Sequence, residues 1–131
     1  MPVNYSTHFL DNGLKILYHY DPQAPKVAVN LLYKVGSRDE DPELTGFAHL
    51  FEHLMFGGSK NIPSYDKPLQ KVGGENNAFT SSDITNYYLT LPPEQLETAF
   101  WLESDRMLEL EFSPKSLDVQ KSVVIEEFKQ R

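Results

Sequence analysis

The run His49-Leu50-Phe51-Glu52-His53 constrains this chain more than any other stretch. At about 100° per residue, positions four apart fall on one helix face, so a helix here turns both imidazoles toward a common point. Glu52 borders that face and can reach a water held at the point without itself being a ligand. The flanking Gly46-Phe47-Ala48 and Leu54-Met55-Phe56 are apolar, which predicts a largely buried helix, and buried polar side chains need partners. A solvated surface helix is the competing reading, and the apolar flanks weigh against it.

Written in this order, HxxEH is the inverted form of a catalytic zinc motif. Zinc lowers the pKa of bound water toward about 7, and an adjacent carboxylate can take the proton and later deliver it to a leaving amine. The chemistry implied is hydrolysis of a peptide bond, with Glu52 as general base and His49 and His53 as metal ligands. A catalytic zinc takes a third protein ligand. The chain has no cysteine, and His8 and His19 stand in short amino-terminal segments that read as strands, where a lone histidine is usually structural. The segment from Pro114 to Arg131 reads as a helix with an apolar stripe through Leu117, Val124 and Phe128. With Val124 as origin, Glu127 falls at about 300° and borders the stripe, whereas Glu126 falls at about 200° and points away. Glu127 is therefore the preferred third ligand and Glu126 the alternative, against a reading in which both glutamates are solvated, as most helix glutamates are.

The rest of the chain predicts an α+β fold in which helices cover a mixed, largely antiparallel sheet. Thr7 to Leu10 and Leu14 to Tyr20 flank the turn signal Asp11-Asn12-Gly13 and predict a hairpin, and Val27 to Val35 is a third β-rich run. Ser37 to Thr45 reads as a loop into the motif helix, which ends at Gly57-Gly58. A short helix is expected from Ser64, as N-cap, to Val72, with Gly73 as its stop. Asn77 to Thr80 and Ile84 to Leu91 read as strands, the second with side chains that allow both faces to be covered. Pro92-Pro93 opens a long helix reaching about Glu111, with Leu96, Phe100, Met107 and Leu110 as its core stripe. Phe112-Ser113-Pro114 joins it to the last helix.

With 131 residues and 40% hydrophobic content, the chain suffices for one core and one domain. A formal charge of −7 without a long basic run argues against nucleic acid or anionic membranes as partners and favours solubility. No apolar stretch approaches the ~20 residues of a membrane span. The lack of cysteine is compatible with the cytosol and with an extracytoplasmic compartment such as the periplasm alike. The final segment is still helix-like at Arg131, without a Gly or Pro punctuator, so the chain is expected to be a truncated piece of a longer one.

Reading outward from Gly46-Phe47-Ala48-His49-Leu50-Phe51-Glu52-His53-Leu54-Met55-Phe56-Gly57-Gly58-Ser59, the sequence resembles the family of pitrilysin, insulin-degrading enzyme and mitochondrial processing peptidase. The likeness extends to Leu10-Asp11-Asn12-Gly13-Leu14, to Val35-Gly36-Ser37-Arg38, to Gly73-Gly74-Glu75-Asn76-Asn77-Ala78-Phe79-Thr80 and to Asp83-Ile84-Thr85-Asn86-Tyr87-Tyr88. It implies Zn2+ held by His49, His53 and a distant glutamate, Glu127 here. The interval to Glu127 is at the short end for the family, so Glu126 stays open. It implies Glu52 as the base, and Asn77, Ala78 and Phe79 as a strand that receives an extended peptide or unfolded polypeptide by strand addition. An ordinary turn or bulge is the other reading of Asn77. The family carries another glutamate two helical turns before the distant ligand, where this chain has Gln120, so a supporting charge is missing.

The resemblance further implies that residues 1–131 are the N-terminal part of a larger peptidase lobe. Family members close two homologous halves around the substrate, so this piece alone is expected to bind zinc with weak or no turnover. Two other classes compete. A non-catalytic peptide-binding or scaffolding subunit of the same fold would be expected to have a broken motif, and this one is intact. A metal-dependent lyase of related fold, S-ribosylhomocysteine lyase, relies on cysteine, and the chain has none.

Overall fold

A computed structural model describes residues 3–130. The chain opens with an antiparallel hairpin, β1 (Ser6–Phe9) and β2 (Lys15–Tyr18), in the register Ser6↔Tyr18 to Phe9↔Lys15. Its turn is closed by Asn12 Oδ1, which accepts the Leu14 N–H at 3.1 Å, and by Gly13 at φ 87°, a left-handed conformation that glycine adopts without strain. Every residue of both strands is exposed, so the hairpin stands outside the core.

The central sheet has the order β3-β6-β5, all antiparallel: β3 is Val27–Tyr33, β6 Thr85–Leu91 and β5 Glu75–Thr80. Alternation along β6 buries Tyr87, Leu89 and Leu91 against the helices. Both faces were allowed for on sequence grounds, but one is largely open: Leu32, Tyr88 and Phe79 share it and are about half exposed. The core gathers Leu69, Leu89, Leu91 and Leu102, all fully buried, with Ile62, Tyr65 and Ala99. The chain is thus an α+β fold with helices on an antiparallel sheet, as its sequence order predicts.

Four α-helices are interleaved with the strands along the chain. α1 (Phe47–Leu54) starts at Gly46, whose φ of 94° turns the chain into it. It is less buried than its composition predicts: only Leu54 is fully enclosed, and Phe47 and Phe51 are half exposed because the helix packs on the sheet by one side alone. α2 (Asp66–Lys71) begins after Tyr65 rather than at a Ser64 cap, and no side chain caps it. Asp66 supplies acidity in its first turn, and Gly73, at φ 75°, stops it as expected.

α3 (Leu96–Leu108) departs most from expectation. Its buried face carries Ala99, Leu102, Glu103 and Arg106, while Phe100 and Met107 from the expected stripe are 57% and 46% exposed. Glu103 and Arg106 pair at 2.7 Å, and the guanidinium packs on the rings of Tyr65 and Tyr87, so a neutralised ion pair occupies positions that hydropathy reserves for apolar side chains. The helix ends before Glu111 because Leu110–Glu111 forms a short strand, β7, paired with β4 (Gly58–Ser59).

α4 (Pro114–Gln130) is capped by Ser113, whose Oγ accepts the Ser116 N–H at 3.1 Å while Ser116 Oγ accepts the Ser113 N–H at 2.8 Å. Leu117 and Val124 of its expected stripe are half-buried, but Phe128 is 79% exposed, with its side chain left uncovered by the described residues. The predicted extension to Arg131 falls outside the described residues.

Candidate metal centre

The start of α1 and the end of β5 are tied together by the loop between β3 and α1. Ser37 N–H donates to Ser81 O at 3.1 Å and Arg38 N–H to Ser82 O at 2.9 Å. A side chain at Gly36 would meet Ser81 O at 2.3 Å, so only glycine allows the two segments to come this close. A few residues on, the Glu40 carboxylate accepts the N–H groups of Gly46 and Ala48, each at 2.7 Å. A carboxylate at this end satisfies two orphan donors and complements the helix dipole. The motif helix is thus pinned relative to the β5–β6 hairpin.

From this helix the two imidazoles project one turn apart, with ring centroids 4.8 Å from each other. Their Nε2 atoms are 3.2 Å apart, and Glu127 Oε2, arriving from α4, is 3.2 Å from His49 Nε2 and 3.6 Å from His53 Nε2. In a tetrahedral site with bonds of about 2.0–2.2 Å, neighbouring donor atoms stand about 3.3–3.6 Å apart, so the three atoms have the spacing of zinc ligands around a common centre. His53 Nδ1 bonds the carboxamide oxygen of Gln120 at 3.3 Å. That oxygen can only accept, so Nδ1 carries the hydrogen and Nε2 keeps its lone pair for the centre. A neutral amide therefore stands where the resemblance led us to expect a charge.

Glu52 is half-buried beside the cluster, and its Oε2 accepts a hydrogen bond from the Thr80 hydroxyl. Together these groups line a cleft of about 610 Å³ with Ser37, Ser81 and Ser82. Asn77, Ala78 and Phe79 also border it, on β5, whose only strand partner among the described residues is β6. The Ala78 N–H is bonded to Asn77 Oδ1 at 2.8 Å. Glu126 is turned away: it pairs with Lys129 at 2.6 Å and its side chain is 62% exposed. His8 and His19 are exposed and remote from the cluster, which is the sole group of three or more such ligand types brought together among the described residues.

Thr80 was not singled out from the sequence, and Gln120 was noted there only as the place of a missing charge. Thr80 follows Ala78 at the two-residue period of a strand and so shares its face, a signal available from alternation. Gln120 precedes Glu127 by two helical turns, which places it on the same side of α4, but only the fold brings His53 to meet it.

Residues 15–131 match the family model described as Insulinase (Peptidase family M16). The chain is 33% identical over 120 residues to an uncharacterized zinc protease of Bacillus subtilis, covering 90% of this chain and 29% of that protein. It is 39% identical over 93 residues to human insulin-degrading enzyme, covering 69% of this chain and 9% of that one. A crystal structure of a protease from Helicobacter pylori superposes with a TM-score of 0.92 at 32% identity, over 98% of this chain and 32% of that one. The chain thus spans less than a third of the length of each.

Proposed function

The chain belongs to the insulinase family of peptidases, family M16, and from that premise we propose that it carries the zinc centre of an endopeptidase acting on extended peptides or unfolded polypeptides. His49, His53 and Glu127 hold Zn2+, and Glu52 is the general base. The observation that carries the reading is the mutual spacing of the three donor atoms, 3.2, 3.2 and 3.6 Å. Zinc, when bound, supplies Lewis acidity to polarise the scissile carbonyl and acidify water. Glu52 takes a proton from the attacking water and returns it to the leaving amine.

Asn77, Ala78 and Phe79 receive the substrate as an added strand. Support comes from β5 having a single strand partner among the described residues and from the Ala78 N–H, which is bonded to the neighbouring Asn77 side chain. A donor satisfied in this local way is available for exchange with a peptide carbonyl, and main-chain recognition of this kind gives broad sequence preference. Residues 1–131 form a single α+β domain, the N-terminal part of a larger lobe, whose partners are the remainder of that lobe or a second homologous one. Alone, this domain binds zinc and turns over weakly or not at all.

Metal analysis beside a hydrolysis assay tests the reading. His49→Ala and Glu127→Ala are expected to lose zinc and Glu126→Ala to retain it. Glu52→Gln in the full-length protein is expected to keep zinc and lose hydrolysis of an unstructured peptide. Zinc retained in Glu127→Ala but lost in Glu126→Ala would reverse the ligand assignment, and full activity in Glu52→Gln would remove the base.

A further inference from the structure

We infer that Thr80 is the positioning residue of the base: its hydroxyl holds Glu52 Oε2 and leaves Oε1 free for the proton transfer, so the strand that docks the peptide also orients the carboxylate. The inference rests on Glu52 being the base. A glutamate on a helix has three side-chain torsions, and fixing them costs rotamer freedom, so a base without a partner spends much of its time misdirected. Among the described residues the one hydrogen bond made to the Glu52 side chain comes from Thr80.

Thr80 is well suited to the task. It ends β5 opposite Thr85 in the β6 ladder, and Thr85 is itself anchored by its hydroxyl to Val35 O at 3.0 Å. The turn beyond is closed by Ser81 N–H to Ile84 O at 2.8 Å. A β-branched side chain on such a strand is stiff at χ1, so the hydroxyl is presented from a fixed direction. Ala78, two residues earlier on the same face, offers its N–H for peptide docking. The Thr80–Glu52 hydrogen bond therefore links movement of β5 on docking directly to the carboxylate.

The test uses the zinc-loaded full-length protein carrying Thr80→Val, which keeps the branch and removes the hydroxyl, and Thr80→Ser, which keeps the hydroxyl. In Thr80→Val, kcat for an unstructured peptide is expected to fall by about ten- to a hundredfold with KM little changed. Thr80→Ser should recover most of the loss, and zinc content should equal that of the unsubstituted protein in both. Crystal structures of the two variants should show Glu52 leaving its rotamer in Thr80→Val and keeping it in Thr80→Ser. An unchanged kcat and rotamer in Thr80→Val, or a serine variant as impaired as the valine one, overturns the inference. If the unsubstituted protein hydrolyses nothing, the base assignment fails, and the Glu52 rotamers still decide whether Thr80 holds the carboxylate.

Discussion

The two long helices of this domain are held in opposite ways. α3 is fastened from within: Arg106 meets Glu103 in paired hydrogen bonds of 2.8 Å, packs 4.4 Å and 4.7 Å from the ring centroids of Tyr65 and Tyr87, and donates to Met55 O at 3.4 Å. Tyr65 completes the network by donating to Glu103 at 2.5 Å. Burial, with the nearby Glu103 carboxylate adding to it, pushes the Tyr65 phenol far above its ordinary pKa, so it stays a neutral donor. α4, by contrast, buries no residue fully, and Val119, Ile125 and Phe128 are 51%, 45% and 79% exposed. Its polar ties to the body are Glu127 and Gln120 at the two histidines. The scaffold is thus specified by packing and satisfied polar groups, whereas Glu127 arrives on an element that buries no residue fully.

The largest effect should come from breaking the α3 network. Arg106→Ala leaves Glu103 buried without its cation and is expected to cost about 3–5 kcal/mol in denaturant unfolding. Met55 O, at the end of the motif helix, loses its donor as well, so the damage should reach α1. A loss below about 1 kcal/mol would mean that the network is not what fastens α3.

Zinc should act on the other helix. If Glu127 is a ligand, the metal is a staple between α1 and α4, and free zinc at a hundred times its Kd stabilises the docked helix by about 2.7 kcal/mol against local opening. Amide hydrogen exchange is the measurement: protection of α4 should rise on zinc addition and fall on chelation, while α3 hardly changes. Equal gains in both helices would show that the domain opens as one unit and that the contrast between them is one of appearance only.

The same contrast explains what the sequence revealed. The hairpin, the sheet strands, the motif helix and the last helix were legible because local signals wrote them: Asn12-Gly13 for the turn, alternation at Tyr87, Leu89 and Leu91, and the Gly73 stop. The convergence of His49, His53 and Glu127 was readable from helical phase together with a family likeness. The face of α3 was not. Its apolar stripe at Phe100 and Met107 is regular, and only knowing that Tyr65 and Tyr87 stand opposite Arg106 makes a charged face the buried one. β7 was missed for a similar reason, since two residues carry no periodicity and Leu110–Glu111 is extended because Gly58–Ser59 is there to pair with it. Thr80 belongs to the same class, and Gln120 was legible as a position but not as the partner of His53, because in both cases the partner is supplied by another element.

The smallest effect concerns Gln120, and it separates the two kinds of support most finely. Its carboxamide fixes the hydrogen on His53 Nδ1 from a half-buried position on a helix that buries no residue fully. Gln120→Leu should therefore weaken zinc binding by about tenfold, the low end for loss of a ligand's hydrogen-bond partner, while leaving the denaturation midpoint of the metal-free protein in place. Gln120→Glu makes the same bond charge-assisted and should tighten zinc severalfold, again without moving that midpoint. Competition titration with a chelator of known affinity reads both. A fall in metal-free stability on Gln120→Leu would place this residue with the scaffold, and α4 would then be docked by its own packing before any metal arrives.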